Sequence, residues 1–148
     1  MKNPKLDKKT HIIDSKNYTL DHIAYAVKST DKAIGAFRIV YPMVAAYKIL
    51  EPSQNVFITY LTSKNSNYRI ELVEGARHPN PVENLATSTN SSIYHICFRV
   101  KNFEETAKYF KKQGLLMING PFETALEKRT LACHFFHPDW GIIEIMGK

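Results

Sequence analysis

Long apolar segments are missing from this sequence. No stretch approaches the roughly 18 consecutive apolar residues that a membrane-spanning helix needs, and residues 1–14, MKNPKLDKKTHIID, lack the apolar core of a secretion signal. These two absences exclude a membrane span and argue against export. We therefore expect a cytoplasmic protein with no membrane partner.

Cysteine is scarce as well. The chain has two cysteines, Cys97 and Cys133, and both fall inside predicted β-strands. A reducing compartment does not favour disulfides, so we predict two buried free thiols. A disulfide-stapled fold is excluded as the main source of stability.

A dense basic stripe is absent, although the chain carries a net charge of +6 from 20 basic and 14 acidic residues. The lysines are scattered and are not interleaved with aromatic residues, as they would be on a nucleic-acid surface. We expect no nucleic-acid partner. The excess positive charge instead favours small anionic ligands.

The apolar content is sufficient for a folded core. Of the 148 residues, 44% are hydrophobic and 11% are aromatic, which fits one compact domain. We divide the chain into an N-terminal tail (1–18), a first module (19–75), a connector (76–92) and a second module (93–148). Together, residues 19–148 form one domain.

That division rests on an internal repeat. The segments LDHIAYAV and IYHICFRV resemble each other, and their histidines, His22 and His95, lie 73 residues apart. The same offset relates Glu71 in YRIELVEG to Glu144 in WGIIEIMGK. Self-similarity at a fixed period indicates a duplicated structural unit.

Both copies predict the order βαβββ. In the first copy, we predict strands at 21–27, 45–50, 56–62 and 68–73, with a helix at 32–40 that Pro42 ends. In the second copy, we predict strands at 94–100, 115–118, 131–137 and 141–146, with a helix at 103–113 that Gly114 ends. A turn is expected at 119–121, and a short helix at 82–85 within the connector.

Strand alternation places the two histidines on the same kind of face. Side chains of a strand point alternately to its two sides, so His22 shares a face with Ala24 and Ala26, whereas the larger apolar residues face the helices. Glu71 and Glu144 also lie in mid-strand. A carboxylate there is costly to bury without a cation. The four residues His22, Glu71, His95 and Glu144 therefore predict a divalent-metal site.

The other four histidines do not follow the offset. His11 and His78 are expected in exposed loops. His134 and His137 lie three residues apart on one strand and point to opposite faces. At most one of these two can line the cavity.

The paired LDHIAYAV and IYHICFRV strands, IELVEG and HPDWGIIEIMG together resemble the vicinal oxygen chelate superfamily, over residues 20–147. This superfamily includes glyoxalase I, methylmalonyl-CoA epimerase and the bleomycin-resistance proteins. The resemblance implies an α+β fold of two tandem βαβββ modules, whose mixed sheet curls into a cup with the helices outside. It also implies one divalent ion (Ni, Co, Mn or Zn) held by His22, Glu71, His95 and Glu144.

The resemblance further implies a metal-dependent lyase or isomerase that transfers a proton through an enediolate or enolate. The substrate would be a thioester or an adduct of a 2-oxo-aldehyde. Glu144 is the first candidate base and Glu71 the second. Arg99 could bind an anionic group at the mouth of the cup, although a surface salt bridge accounts for Arg99 equally well. A homodimer is expected, and the cup could close within one chain or by exchange of modules between two.

The sequence departs from the epimerase pattern at one turn. The epimerases have a catalytic glutamate in a Pro-Glu-(Gln/His)-Gly motif, where this chain reads Pro52-Ser53-Gln54-Asn55. Two other functions are therefore weighed. One is a binding or antibiotic-resistance protein without turnover, which usually lacks the metal residues. The other is a ring-cleaving dioxygenase, whose 2-His-1-carboxylate iron site leaves no role for Glu71.

Overall fold

Two βαβββ units follow one another in the computed structural model, which describes residues 15–43, 47–85 and 89–148. A short 3-10 turn, Ser15–Asn17, precedes them. The first unit consists of β1 (Tyr18–Val27), α1 (Thr30–Val40), β2 (Lys48–Glu51), β3 (Val56–Leu61) and β4 (Arg69–Gly75). The second consists of β5 (Ser91–Val100), α2 (Phe103–Lys112), β6 (Leu116–Glu123), β7 (Leu131–His137) and β8 (Gly141–Gly147).

All eight strands belong to one mixed sheet, in the order β2-β3-β4-β1-β5-β8-β7-β6. Within each unit the first and last strands are parallel, β1 with β4 and β5 with β8. The units join through the antiparallel pair β1–β5 at the centre. The predicted α+β fold with a curled, cup-shaped sheet is confirmed, and in this structure one chain forms the cup.

The helices cover the convex face of the sheet. The side chain of Ser29 caps α1 by accepting a hydrogen bond from the backbone of Lys32, and Asn102 caps α2 through Glu105. Helix α1 packs on Leu61, Ile70 and Leu72, and α2 packs on Phe135 and Ile145. None of the helices in the described residues has the length and hydropathy needed to cross a membrane.

Small residues line the concave face, as strand alternation predicts. Ala24 and Ala26 are fully buried there, whereas Ile23, Tyr25 and Val27 pack on the helix side. Cys97 and Cys133 are buried free thiols, which confirms that prediction. The concave face therefore has room for polar groups close to the β1–β5 pair.

Strand β6 differs from the prediction. We expected a strand at 115–118 and a chain reversal at 119–121, but β6 continues to Glu123 with register shifts on either side of Asn119. Gly120 adopts a φ of +94°, and a Cβ there would lie 2.7 Å from the carbonyl oxygen of Ala132. The turn-forming residues thus make a bulge within the strand, because the glycine allows close contact with β7.

The connector also differs from the prediction. Residues 81–85 form turns, and no helix is present among the described residues of this segment. The side chain of Asn80 accepts a hydrogen bond from the backbone of Val82 and donates one to the carbonyl of Arg77. These bonds favour a turn over a helix. For the predicted strand 45–50, β2 begins at Lys48, and residues 44–46 lie outside the described residues.

Candidate metal centre

Four adjacent strands supply the predicted ligands. Glu71 lies on β4, His22 on β1, His95 on β5 and Glu144 on β8, all in the middle of the sheet. Ala24 stands opposite both Glu71 and His95 in the strand pairing, and Cys97 stands opposite both His22 and Glu144. The repeat therefore brings one histidine and one glutamate from each unit to the same place.

The four side chains converge through their ligand atoms. The two Nε2 atoms of His22 and His95 are 3.1 Å apart. Oε2 of Glu144 lies 3.2 Å from Nε2 of His22 and 3.3 Å from Nε2 of His95. Oε2 of Glu71 lies 3.4 Å from each of the same nitrogens. All four residues are at most 7% exposed.

This arrangement fits a divalent cation. Nitrogen and oxygen ligands about 2.0–2.2 Å from one ion are separated from each other by roughly 3.0–3.6 Å, and the measured distances fall in that range. Ligand atoms of His22, His95 and Glu144 all lie within 4.8 Å of one another, and Glu71 joins them through both imidazoles. Two carboxylates and two neutral imidazoles balance the charge of one dication.

The electrostatics of the site also favour a positive charge. Burial raises the pKa of Glu144, but His95 and His22 outweigh it and hold this pKa well below its usual range. The pKa of Glu71 is also lowered, because the effect of His22 and His95 outweighs that of burial. Burial lowers the pKa of His22, yet the carboxylate of Glu71 raises it well above the usual value. Two ionised carboxylates thus face the space between the histidines.

A hydrogen bond fixes the orientation of His22. Its Nδ1 donates to Oδ1 of Asp21 at 2.8 Å, which directs Nε2 towards the other ligands. Asp21 also accepts hydrogen bonds from Arg69 and from Nε of Arg99, the latter at 3.0 Å. Burial raises the pKa of Asp21, but its bonds to His22 and Arg69 hold that pKa below its usual range. Asp21 therefore remains an acceptor.

Arg99 belongs to the same charged network. Its guanidinium pairs with both oxygens of Glu127, at 3.0 and 2.8 Å, and with Oδ2 of Asp21 at 2.8 Å. The ion-pair alternative raised for Arg99 is thus the arrangement that the structure shows. A contact between Arg99 and an anionic substrate stays a prediction.

The substitution Arg99→Gln separates these two roles. We expect it to lower the free energy of unfolding by about 1 kcal/mol, because Asp21 loses a charged partner that is itself partly exposed. Urea denaturation measures this loss. As a control, Lys108→Gln removes an exposed lysine 3.9 Å from Glu104 and should be neutral. A tenfold rise in KM for an anionic substrate, with stability unchanged, would favour the substrate contact.

His134 lines the cavity; the sequence had not decided between His134 and His137 for this position. It is 1% exposed, and it lies opposite Glu144 in the β7–β8 pairing, with Nε2 3.6 Å from Oε1 of that residue. Burial lowers the pKa of His134 to about 4, so its imidazole is neutral at pH 7. His137 instead stacks on Trp140 outside the cavity. The prediction that at most one of these two histidines lines the cavity is confirmed.

Glu51 was not identified from the sequence, although it lies two residues before Ser53. It is 2% exposed and lines the same cavity. Oε1 accepts hydrogen bonds from the hydroxyl and the backbone of Ser53, at 2.6 and 3.1 Å, and Oε2 accepts one from the backbone of Ala125 at 2.8 Å. Glu51 thereby links the end of β2 to the β6–β7 loop.

The cavity above the ligands is small and largely enclosed. Tyr60, Tyr94 and Phe122 form part of its wall, and residues 124–126 cover it. The centre of a water molecule can occupy about 30 Å³ inside it. That space holds one or two waters.

Comparison with known proteins identifies the family. The profile of the Glyoxalase/Bleomycin resistance protein/Dioxygenase superfamily matches residues 21–132, which is more than half of the chain. The chain belongs to this superfamily. The match contains three of the four converging residues, and β8, which carries Glu144, follows it. A search of curated proteins finds no match to the sequence.

Solved structures agree with the fold. Methylmalonyl-CoA epimerase from Mycobacterium tuberculosis superposes with a TM-score of 0.74 at 17% identity, covering 86% of each chain. A methylmalonyl-CoA epimerase in complex with methylmalonyl-CoA and NH4+ gives 0.75 at 16% identity, covering 89% of this chain and 95% of that one. A hypothetical protein from Bacillus halodurans gives 0.68 at 28% identity, covering 88% and 94%. At these identities the epimerases support the fold alone.

Proposed function

We propose that this protein is a divalent-metal-dependent lyase or isomerase that moves a proton at the carbon next to a carbonyl group. The convergence of His22, Glu71, His95 and Glu144, with ligand atoms 3.1–3.4 Å apart, carries the proposal. These four residues would hold one cation, for which Ni, Co, Mn and Zn are all suitable. When bound, the cation supplies a Lewis acid that stabilises negative charge on the substrate oxygen.

Glu144 is the residue best placed to move the proton. Its Oε2 faces the two histidines, whereas its Oε1 lies towards His134 in the cavity wall. One oxygen of this carboxylate therefore remains for the substrate. Glu71 is the second candidate base, because it too lines the cavity. Both carboxylates are ionised at pH 7 and can accept a proton.

The structural relatives support a proposal for the substrate class. Solved epimerases of this fold were studied with methylmalonyl-CoA and with 2-nitronate-propionyl-CoA, and both ligands are thioesters of CoA. We propose a thioester, or the thiol adduct of a 2-oxo-aldehyde, as the substrate. The activity would then be that of an acyl-CoA epimerase or a lactoylglutathione lyase. Arg99 remains the proposed contact for an anionic group.

A binding protein of the same fold is the second candidate. The aromatic walls formed by Tyr60, Tyr94 and Phe122 suit a planar ligand. Such a protein would sequester an aromatic compound without turnover. We rank it below the enzyme because all four ligand positions are filled by His and Glu.

An assay with two substrates tests the proposal. The purified protein is analysed for metal content and then reconstituted with Ni, Co, Mn or Zn. It is incubated in D2O with methylmalonyl-CoA, or with the hemithioacetal of methylglyoxal and glutathione. We expect metal-dependent deuterium incorporation or product formation with one of them. A metal-loaded protein that is inert to both would remove the named activities. A homodimer in the cytoplasm stays a prediction.

A further inference from the structure

The side chain of His134 has a buried nitrogen that nothing in the described residues satisfies. Its Nε2 makes no hydrogen bond, although the residue is 1% exposed. It lies 3.6 Å from Oε1 of Glu144, which is too long for a hydrogen bond. His134 and Glu144 both line the cavity, so this nitrogen lies beside a carboxylate of the cavity wall.

The two units differ in the residue that stands opposite the glutamate. Tyr60 stands opposite Glu71 in the first unit as His134 stands opposite Glu144 in the second. The Tyr60 ring, however, is covered by the guanidinium of Arg69, 3.9 Å from its centroid. Symmetric ligand positions are thus combined with an asymmetric cavity wall.

The neighbours of His134 indicate which of its nitrogens carries the proton. Nδ1 lies 3.5 Å from Nδ2 of Asn119, so it accepts from this amide. An imidazole whose Nδ1 accepts a hydrogen bond carries its proton on Nε2. The ring is held in place between Phe122 and Tyr94, with centroid distances of 5.9 and 5.8 Å. The cavity therefore contains a fixed N–H donor next to Glu144.

We infer that His134 donates a hydrogen bond from Nε2 to the substrate oxygen that gains negative charge when Glu144 removes a proton. The inference rests on the proposed function and adds a catalytic residue to it. A fixed donor aimed at a developing oxyanion stabilises the transition state more than the ground state. The preferred ligand is an enolate, or an anion that resembles one.

Three variants and one probe test this inference. His134→Phe removes the donor, His134→Gln retains an N–H, and His137→Phe is the matched control on the same strand outside the cavity. Acetohydroxamate serves as the probe, because its two adjacent oxygens mimic those of an enediolate. Equilibrium dialysis measures the metal affinity of each variant separately. The assay described above gives kcat and KM.

We expect His134→Phe to lower kcat about 100- to 1,000-fold, with little change in KM, and to weaken acetohydroxamate binding while metal affinity is kept. His134→Gln should recover at least part of both losses, and His137→Phe should match the parent. Unchanged kcat and probe affinity in metal-loaded His134→Phe would overturn the inference. Loss of the metal itself in that variant would also overturn it, because His134 would then act on Glu144.

A spectroscopic measurement needs no variant. Long-range 1H–15N correlation spectra of the parent protein report which imidazole nitrogen carries the proton. A proton on Nε2 of His134, shifted on addition of acetohydroxamate to the metal-loaded protein, is the expected result. A proton on Nδ1 would overturn the inference. Failure of the parent to bind metal or turn over would instead count against the proposed function, so the two failures are distinguishable.

Discussion

A divalent cation at 100 to 1,000 times its dissociation constant should raise the melting temperature of this protein by roughly 5–15 °C. Ligand binding to the folded state alone contributes about 2.7–4.1 kcal/mol at these concentrations, and each kcal/mol shifts the melting temperature of a domain of this size by roughly 2–4 °C. The physical source is the binding of the cation by four residues that only the folded chain holds together. Thermal unfolding with and without Ni, Co, Mn or Zn measures the shift.

The control for this experiment is a variant that lacks one ligand. His95→Ala should abolish the cation-dependent shift, because a site with three ligands and a buried gap binds the ion far more weakly. His137→Ala removes a histidine outside the cavity and should retain the full shift. Chelation by EDTA should reverse the shift in the parent. A shift of equal size in His95→Ala would place the cation elsewhere.

Glu144→Gln should lower the rate of substrate deuterium exchange about 100- to 10,000-fold, which is the range that a positioned general base contributes. The amide keeps the size of the side chain but cannot take the proton. Glu71→Gln should have a smaller effect if Glu144 is the base. NMR detection of exchange in D2O measures both, with the metal content of each variant determined in parallel.

The same variant separates an enzyme from a binding protein. Ligand binding that is retained in Glu144→Gln while exchange is lost would support the enzyme. Absence of exchange in the parent, with tight binding of an aromatic compound, would support the binding protein. Glu104→Gln on the exposed face of α2 is the matched control and should behave as the parent. A faster exchange in Glu71→Gln than in the parent would contradict any role for Glu71 as a base.

The repeat allowed the sheet and the four converging residues to be predicted. His22 and His95 occupy equivalent strand positions, and Glu71 and Glu144 follow at the same offset, so one local pattern located four groups. Strand alternation then indicated the concave face. These features depend on strand alternation and on the fixed offset of the repeat, and both can be read directly from a sequence. The strand boundaries differ from the prediction by only a few residues for this reason, β6 excepted.

The surroundings of the site could not be predicted, because they depend on contacts between distant strands. Alternation places Asp21 on the face opposite His22, but an irregularity between Leu20 and His22 in the β1–β5 pairing brings Asp21 beside the His22 ring. His134 is next to Glu144 only through the register of the β7–β8 hairpin. Such registers follow from packing rather than from local sequence.

Cation binding and the association of the two units are thermodynamically coupled through the central β1–β5 pair. Each unit alone holds one histidine and one glutamate, so the complete ligand set exists only while β1 and β5 remain paired. By linkage, a bound cation stabilises the β1–β5 pairing, and the pairing favours cation binding by the same free energy. Ile23→Ala, on the face away from the ligands, should therefore lower the melting temperature without touching a ligand, and the cation should still raise that temperature.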